Sequence, residues 1–256
     1  MPAPVNLFKK AIQTDAPLFG CWLSLADAGS AEMIGTVGFD WVLIDGEHAP
    51  NDIRSIRAQL SALQASSSPV IVRVPVGETW LIKQVLDVGA QTVMVPMVES
   101  AEQARELVRA CTYPPNGTRG VGAGSARASR FGAIGDYIPT ADDQICLLVQ
   151  VENRAGIAAL DEILAVDGVD GVFIGPSDLS TDMGFKGDFT VPEVQAVIHD
   201  ALGRIKAAGK SPGVMSLGDL TPGYLGAGVQ FVAVAIDVVL MMNAAHASVA
   251  KWRNKG

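Results

Sequence analysis

A chain of 256 residues, 49% hydrophobic and 18% charged, has room for two small domains or one large α/β barrel with a sizeable core. Its net charge of −8 argues against a nucleic-acid partner or an acidic membrane surface, but not against a small anion gripped by one local arginine. No apolar run reaches the ~18 residues needed to cross a bilayer, and the start Met1-Pro2-Ala3-Pro4-Val5-Asn6 lacks a basic-then-apolar signal pattern, so the expected location is the cytoplasm.

Short β-rich runs alternate with longer helical patterns. Strands are expected at 18–25, 41–45, 70–74, 92–96, 145–151, 171–174, 212–216 and 231–236, and helices at 52–64, 79–88, 101–111, 156–166 and 191–208. Several helices should stop at left-handed glycines, namely Gly38, Gly89, Gly168 and Gly209. Strict alternation at about 30 residues per unit predicts a single domain, 1–256, folded as a (β/α)8 barrel. The runner-up, a doubly wound sheet, wants a glycine-rich turn after the first strand, and Ser24-Leu25-Ala26-Asp27 is not one.

Two stretches depart from this rhythm. Residues 113–143 form a long connection rich in Gly, Arg and Ser, which we read as an active-site cover rather than a phosphate cradle because its Gly-x-Gly follows a helix. The last helix, 238–252, is apolar on nearly every side (Val239, Leu240, Met241, Met242, Val249, Trp252), a pattern that demands burial against another subunit.

Barrel enzymes carry their chemistry at the carboxyl ends of the strands. Those positions hold Trp22 and Ser24, then Asp45, Glu47 and His48, then Arg73, then Gln150 and Glu152, then Ser177 and Asp178. Glu152 and Asp178 lie 26 residues apart, close to one strand-plus-helix unit, so both carboxylates face one cleft. Two such oxygen ligands suit a hard divalent cation, although ordinary strand-end acids, one of them capping the next helix, give the same spacing. His48 follows two acids and is a candidate for catalysis, whereas His199 and His246 lie on helices and read as structural. Arg73, inside an apolar strand, needs an anion: a structural carboxylate such as Asp45, a substrate carboxylate, or both. Asp87, near a helix end, reads on its own as an exposed acid beside Lys83.

No lysine falls in an expected strand, which disfavours covalent imine chemistry and favours metal-assisted carbonyl chemistry. The three cysteines, Cys21, Cys111 and Cys146, form no C-x-x-C pair and read as reduced core residues.

The segments Trp41-Val42-Leu43-Ile44-Asp45-Gly46-Glu47-His48, Val72-Arg73-Val74-Pro75, Val149-Gln150-Val151-Glu152 and Ile174-Gly175-Pro176-Ser177-Asp178-Leu179, with Arg119-Gly120-Val121-Gly122 and the closing helix, resemble the signature of the HpcH/HpaI aldolases, the class II pyruvate aldolases. The resemblance covers essentially the whole chain. It implies a TIM barrel whose eighth helix is exchanged between the subunits of a homo-hexamer, and Mg²⁺, Mn²⁺ or Co²⁺ held by Glu152 and Asp178. It further implies that Arg73 and the metal hold a 2-oxo acid and stabilise its enolate. Gln150 and main-chain amides around Ser177 and Asp178 would orient the substrate, and Asp45 would position Arg73. His48, supported by Asp87, would act as base. Trp22 and Glu47 complete the polar set expected to face the substrate. Leu217, Val121 and Phe131 are expected to set the choice of aldehyde.

The expected activity is therefore metal-dependent cleavage of a 4-hydroxy-2-oxo acid to pyruvate or hydroxypyruvate plus an aldehyde. A CoA-thioester lyase of the citrate lyase β-subunit type would want a basic surface for the CoA phosphates, and none is evident. A non-catalytic oligomeric barrel gives no reason for Arg73, His48, Glu152 and Asp178 to share one face.

Overall fold

Within each strand, side chains alternate between two environments, and that period of two builds the molecule. A computed structural model describes residues 1–253. Eight parallel strands, β1 (Leu18–Leu23), β2 (Trp41–Asp45), β3 (Val70–Arg73), β4 (Thr92–Val95), β5 (Cys146–Val151), β6 (Gly171–Ile174), β7 (Ser211–Met215) and β8 (Phe231–Ile236), close into a barrel in sequence order. The helices are α1 (Leu7–Ala11), α2 (Ala28–Gly35), α3 (Ile53–Ala62), α4 (Thr79–Asp87), α5 (Ala101–Cys111), α6 (Tyr137–Ala141), α7 (Arg154–Ala158), α8 (Leu160–Leu164), α9 (Pro176–Asp182), α10 (Pro192–Ala207), α11 (Thr221–Gly226) and α12 (Asp237–Arg253).

One parity of strand residues, among them Val42, Ile44, Val72, Val93, Val149, Val172 and Val232, packs outward against the helices. The other, Trp22, Trp41, Leu43, Ile71, Met94, Cys146, Leu148, Phe173 and Phe231, fills the lumen. Phe8 of α1 joins the lumen cluster from the amino-terminal end of the strands, edge-on to Trp41 and Phe231 with ring centroids 6.2 and 5.6 Å away. Asn6 fixes this plug by donating to the Gln91 carbonyl, the Thr92 hydroxyl and the Gln144 carbonyl at 3.0–3.1 Å. The barrel is thus sealed at that end, and the opposite end carries the polar residues.

The barrel and the strand order follow the expectation, and the four expected glycine stops all adopt positive φ. Two elements differ. The strand expected over 18–25 ends at Leu23 because the amides of Ser24 and Leu25 donate instead to the Asp237 carboxylate, at 2.8 and 3.2 Å. The helix expected over 156–166 is two short helices separated at Ala159, whose ψ of 2° leaves the helical range. Four helices without a sequence expectation, α1, α6, α9 and α11, span seven residues or fewer and hold too few turns to show a period.

Candidate active site

The lumen parity that buries Leu43, Ile71 and Leu148 continues to Asp45, Arg73 and Gln150, and one step beyond β5 to Glu152. All four are buried at the carboxyl end of the barrel. Arg73 is the most constrained of them. Its Nε and Nη2 donate to the two Asp45 carboxylate oxygens at 2.8 and 2.7 Å, the two-toothed contact that a planar guanidinium makes best. Its Nη1 donates to Gln150 Oε1 at 3.4 Å and stands 2.7 Å from Glu47 Oε2 as an ion pair without hydrogen-bond geometry. Trp22 lies under the guanidinium, its ring centre 5.0 Å from the central carbon. Asp45 also accepts from the amides of Glu47 and His48, which fixes the turn leaving β2. Burial alone would raise the Asp45 pKa, but the bonds and charge of Arg73 outweigh it and hold that carboxyl below its ordinary value.

Glu152 has the opposite balance. It is 2% exposed. One oxygen accepts from the Met97 amide at 3.0 Å and the other from the Gln150 side-chain amide. Burial, reinforced by repulsion from Asp178 and Glu47, outweighs the Met97 bond and pushes its pKa up to about 7. Burial likewise raises Glu47, only partly offset by Arg73 and His48. The site therefore carries more negative charge than Arg73 neutralises. Gly175, between β6 and α9, makes the arrangement possible: a Cβ there would meet the Glu152 carboxylate and stand 2.9 Å from the Gln150 amide nitrogen. Asp178 follows in the first turn of α9, on the same end of the barrel.

Among the described residues, no group of three or more His, Cys, Asp or Glu is arranged to hold a metal ion. The donor set on offer is a pair of carboxylates, Glu152 and Asp178. Hard oxygen ligands of this number fit an ion of the Mg²⁺ kind, which keeps its remaining positions for water and substrate oxygens. An under-neutralised buried carboxylate beside a second acid is the environment that a divalent cation relieves.

A family profile described as HpcH/HpaI aldolase/citrate lyase matches residues 18–244. The chain belongs to this family. It is 58% identical over 254 residues to a hydroxypyruvate/pyruvate aldolase of Roseobacter denitrificans, covering 99% of each chain. It is 49% identical over 248 residues to a 4-hydroxy-2-oxo-heptane-1,7-dioate aldolase of Salmonella dublin, covering 96% of this chain and 94% of the other. The crystal structure of an HpcH/HpaI aldolase/citrate lyase family protein from Burkholderia cenocepacia superimposes with a TM-score of 0.93 at 38% identity, covering 97% of this chain and all of the other. The protein is an aldolase, a carbon–carbon lyase, and its family is generally dependent on divalent metal ions.

In this aldolase, Trp22, Asp45, Glu47, His48, Arg73, Gln150, Glu152, Ser177 and Asp178 all sit at the carboxyl end of the barrel, as does Leu217, which is half-exposed after β7. The His48 side chain is mostly open to solvent, its Nε2 3.9 Å from Glu47 Oε2. Three expected residues, Asp87, Val121 and Phe131, are not brought there. Asp87 closes α4, which descends from β3 toward the plugged end, and Val121 lies in the connection that follows α5 to the same end. Asp87 accepts from Arg119 rather than pairing with Lys83 or His48. The long connection 113–143 does not cover its own active site. A segment joining a helix to the next strand emerges at the amino-terminal end of the barrel, and this one packs there on the first residues of the chain, through Ala3 and Thr140 and through Met1 and Asp136. Phe131 lies in the same connection, exposed, with Arg127 beside it anchored to the Val88 and Leu60 carbonyls.

Covalent routes find no support in the same region. Among the described residues no lysine lies in a strand. All three thiols are buried, and burial first, with Asp237 adding for Cys21, pushes Cys21 and Cys111 up to about 12. Sequence reasoning did not single out Gly175 or the Met97 amide as part of the site. Gly175 stands inside the Ile174–Asp178 segment and is legible only once a neighbour must touch it. Met97 carries a left-handed φ of 55° that aims its amide at Glu152, and nothing in its residue type announces that.

Proposed function

We propose that this aldolase holds a divalent cation, Mg²⁺, Mn²⁺ or Co²⁺, through Glu152 and Asp178 and cleaves 4-hydroxy-2-oxo acids to pyruvate or hydroxypyruvate plus an aldehyde. The observation that carries the reading is the buried Glu152, pushed up to about 7 beside Asp178, within a site whose one fixed cation is already shared by Asp45 and Glu47. The donor choice draws support from the names of the relatives at 58% and 49% identity. When bound, the cation supplies positive charge where the enolate of the 2-oxo acid develops.

The chain's own residues do the rest. Arg73, locked by Asp45 and backed by Trp22, presents its Nη1 edge to the oxygens of the 2-oxo acid without reorganising. Gln150, tied to both Arg73 and Glu152, sets the spacing between the arginine and the acid pair. The amides of Ser177 and Asp178 hold the donor carboxylate. His48 takes the proton from the C4 hydroxyl as the carbon–carbon bond breaks, a task suited to an imidazole. Asp87 supports His48 from a neighbouring subunit, since within one subunit the two occupy opposite ends of the barrel. Val121 and Phe131, on the same end as Asp87, reach the neighbour's cleft with it, while Leu217 borders its own, so the aldehyde is selected by both subunits.

The assembly that this requires is a cytoplasmic homo-hexamer with exchanged closing helices. Its support is α12, in which Val239, Leu240, Met241, Met242 and Val249 are exposed and only Asp237 is buried. The test is a panel of 2-oxo acids against aldehydes with product detection. Pyruvate and hydroxypyruvate should act as donors with added Mg²⁺ or Mn²⁺. A panel in which neither donor gives an aldol product rejects the assignment.

A further inference from the structure

Arg119 has no role in the chemistry above, yet its side chain is fully buried (0% exposed). Its Nη2 donates to Asp87 Oδ1 at 3.1 Å, whereas its buried Nε and Nη1 make no well-formed hydrogen bond and have the polar interaction with Tyr137 instead. The guanidinium lies on the ring of Tyr113, 4.4 Å from its centre, with Tyr137 at 5.9 Å. The chain around it is pinned: Thr118 N donates to the Arg109 carbonyl at 2.7 Å, Arg119 N to the Thr112 carbonyl at 2.9 Å, and the Asp142 carboxylate receives the Tyr113 amide.

Burying a guanidinium whose Nε and Nη1 lack well-formed hydrogen bonds is costly, and an apolar side chain would fill the small cluster of Ala3, Tyr113, Ala123, Ile134 and Tyr137 at less cost. Packing therefore does not account for an arginine at this position. What the arginine does is grip one oxygen of one carboxylate. Asp87 is left 25% exposed, and its second oxygen points past Gly122, where a Cβ would stand 3.4 Å from it. One oxygen is held by Arg119, and the other lies beside Gly122.

We propose that Arg119 is a positioning residue for the proton-transfer step, clamping Asp87 so that its free oxygen meets His48 of the neighbouring subunit. The inference rests on the cross-subunit pairing of Asp87 with His48 proposed above. It also assigns the long connection a purpose: the segment 113–143 is the mount for this clamp.

The test is a double-variant cycle on the intact oligomer, comparing R119M, D87N and R119M/D87N by steady-state kinetics and thermal melting. R119M should lower kcat on the order of 10–100-fold with KM for the 2-oxo acid changed less than about threefold, since the clamp orients the base and not the donor. The combined variant should be no slower than D87N alone, because the clamp has nothing left to hold. Losses that multiply in the combined variant, or an R119M kcat equal to the parent's while D87N is crippled, overturn the clamp and leave the cross-subunit pairing standing. A D87N kcat equal to the parent's overturns the pairing, and the clamp with it. Should R119M melt far below the parent, R119K, which keeps the charge and loses the planar fork, enters the same cycle with the same non-multiplying result expected.

Discussion

Glu152 and Arg73 are both buried at one end of the barrel, and their different neighbours give them different work. Arg73 is satisfied on two sides by Asp45 and is a fixed charge. Glu152 receives two hydrogen bonds but faces Asp178 and Glu47, so its charged form is destabilised and its pKa rises from 4.5 to about 7. The sign of the consequence follows from linkage. In metal-free protein the folded state keeps this proton up to about pH 7 while the unfolded chain releases it near 4.5, so this group's contribution to stability falls as pH rises through that window and is flat above it. Glu152→Gln removes the penalty, and the metal-free variant should be more stable than metal-free parent at pH 8 by up to roughly 3 kcal/mol, and equal to it near pH 4. Added Mn²⁺ should raise the melting temperature of the parent and leave the variant unmoved. Chemical denaturation at the two pH values checks this, and a variant less stable at pH 8 than at pH 4, relative to the parent, contradicts it.

At the scale of elements, β5, β6 and the turn into α9 form the seat of the acid pair, and Gly175 is its hinge point. Gly175→Ala drives a methyl group into the Glu152 carboxylate and the Gln150 amide. We expect metal affinity measured by calorimetry to fall on the order of 10–100-fold, with the barrel still folded; unchanged affinity would show that the seat tolerates the methyl group. These elements also show what residue order can reveal. The strands are readable because their apolar runs are strong, and Asp45, Arg73, Gln150 and Glu152 fall in one cleft because they stand at the carboxyl ends of those strands, where the structure shows them keeping the lumen parity of Leu43, Ile71 and Leu148. The short helices were not readable, having too few turns. The length of the 113–143 connection and a Gly-x-Gly placed after a helix suggest an active-site cover, but the segment packs at the plugged end. Its position after a helix, which sends it to the plugged end, was the decisive signal. Arg119 was visible within a motif, but its burial and its grip on Asp87 are long-range facts that spacing does not carry.

For the whole molecule, two features of the single barrel bear on the proposed assembly. It exposes an apolar closing helix, and it keeps His48 and Asp87 on opposite ends. The proposed association, with one barrel's plugged end near another's open end, would cover the helix and bring His48 and Asp87 together. Leu240→Glu with Met241→Glu should therefore lower the mass in solution and reduce activity together, as light scattering and assay will show; a fully active monomer would detach the two. Mixing an H48A chain with a D87N chain should restore roughly a quarter of parental activity, since random assembly pairs intact partners at that share of the sites. No recovery above either variant would place the pairing within one subunit or nowhere.

We propose that an acid pair, and not a lysine or a thiol, anchors the donor through a divalent cation. The most direct test is the rate of pyruvate release from a 4-hydroxy-2-oxo acid by protein stripped exhaustively with chelator, followed by stepwise return of Mn²⁺ or Mg²⁺. No cleavage above background is expected until the ion is returned, and then saturable recovery that Glu152→Gln abolishes. Undiminished cleavage by the stripped protein would contradict it.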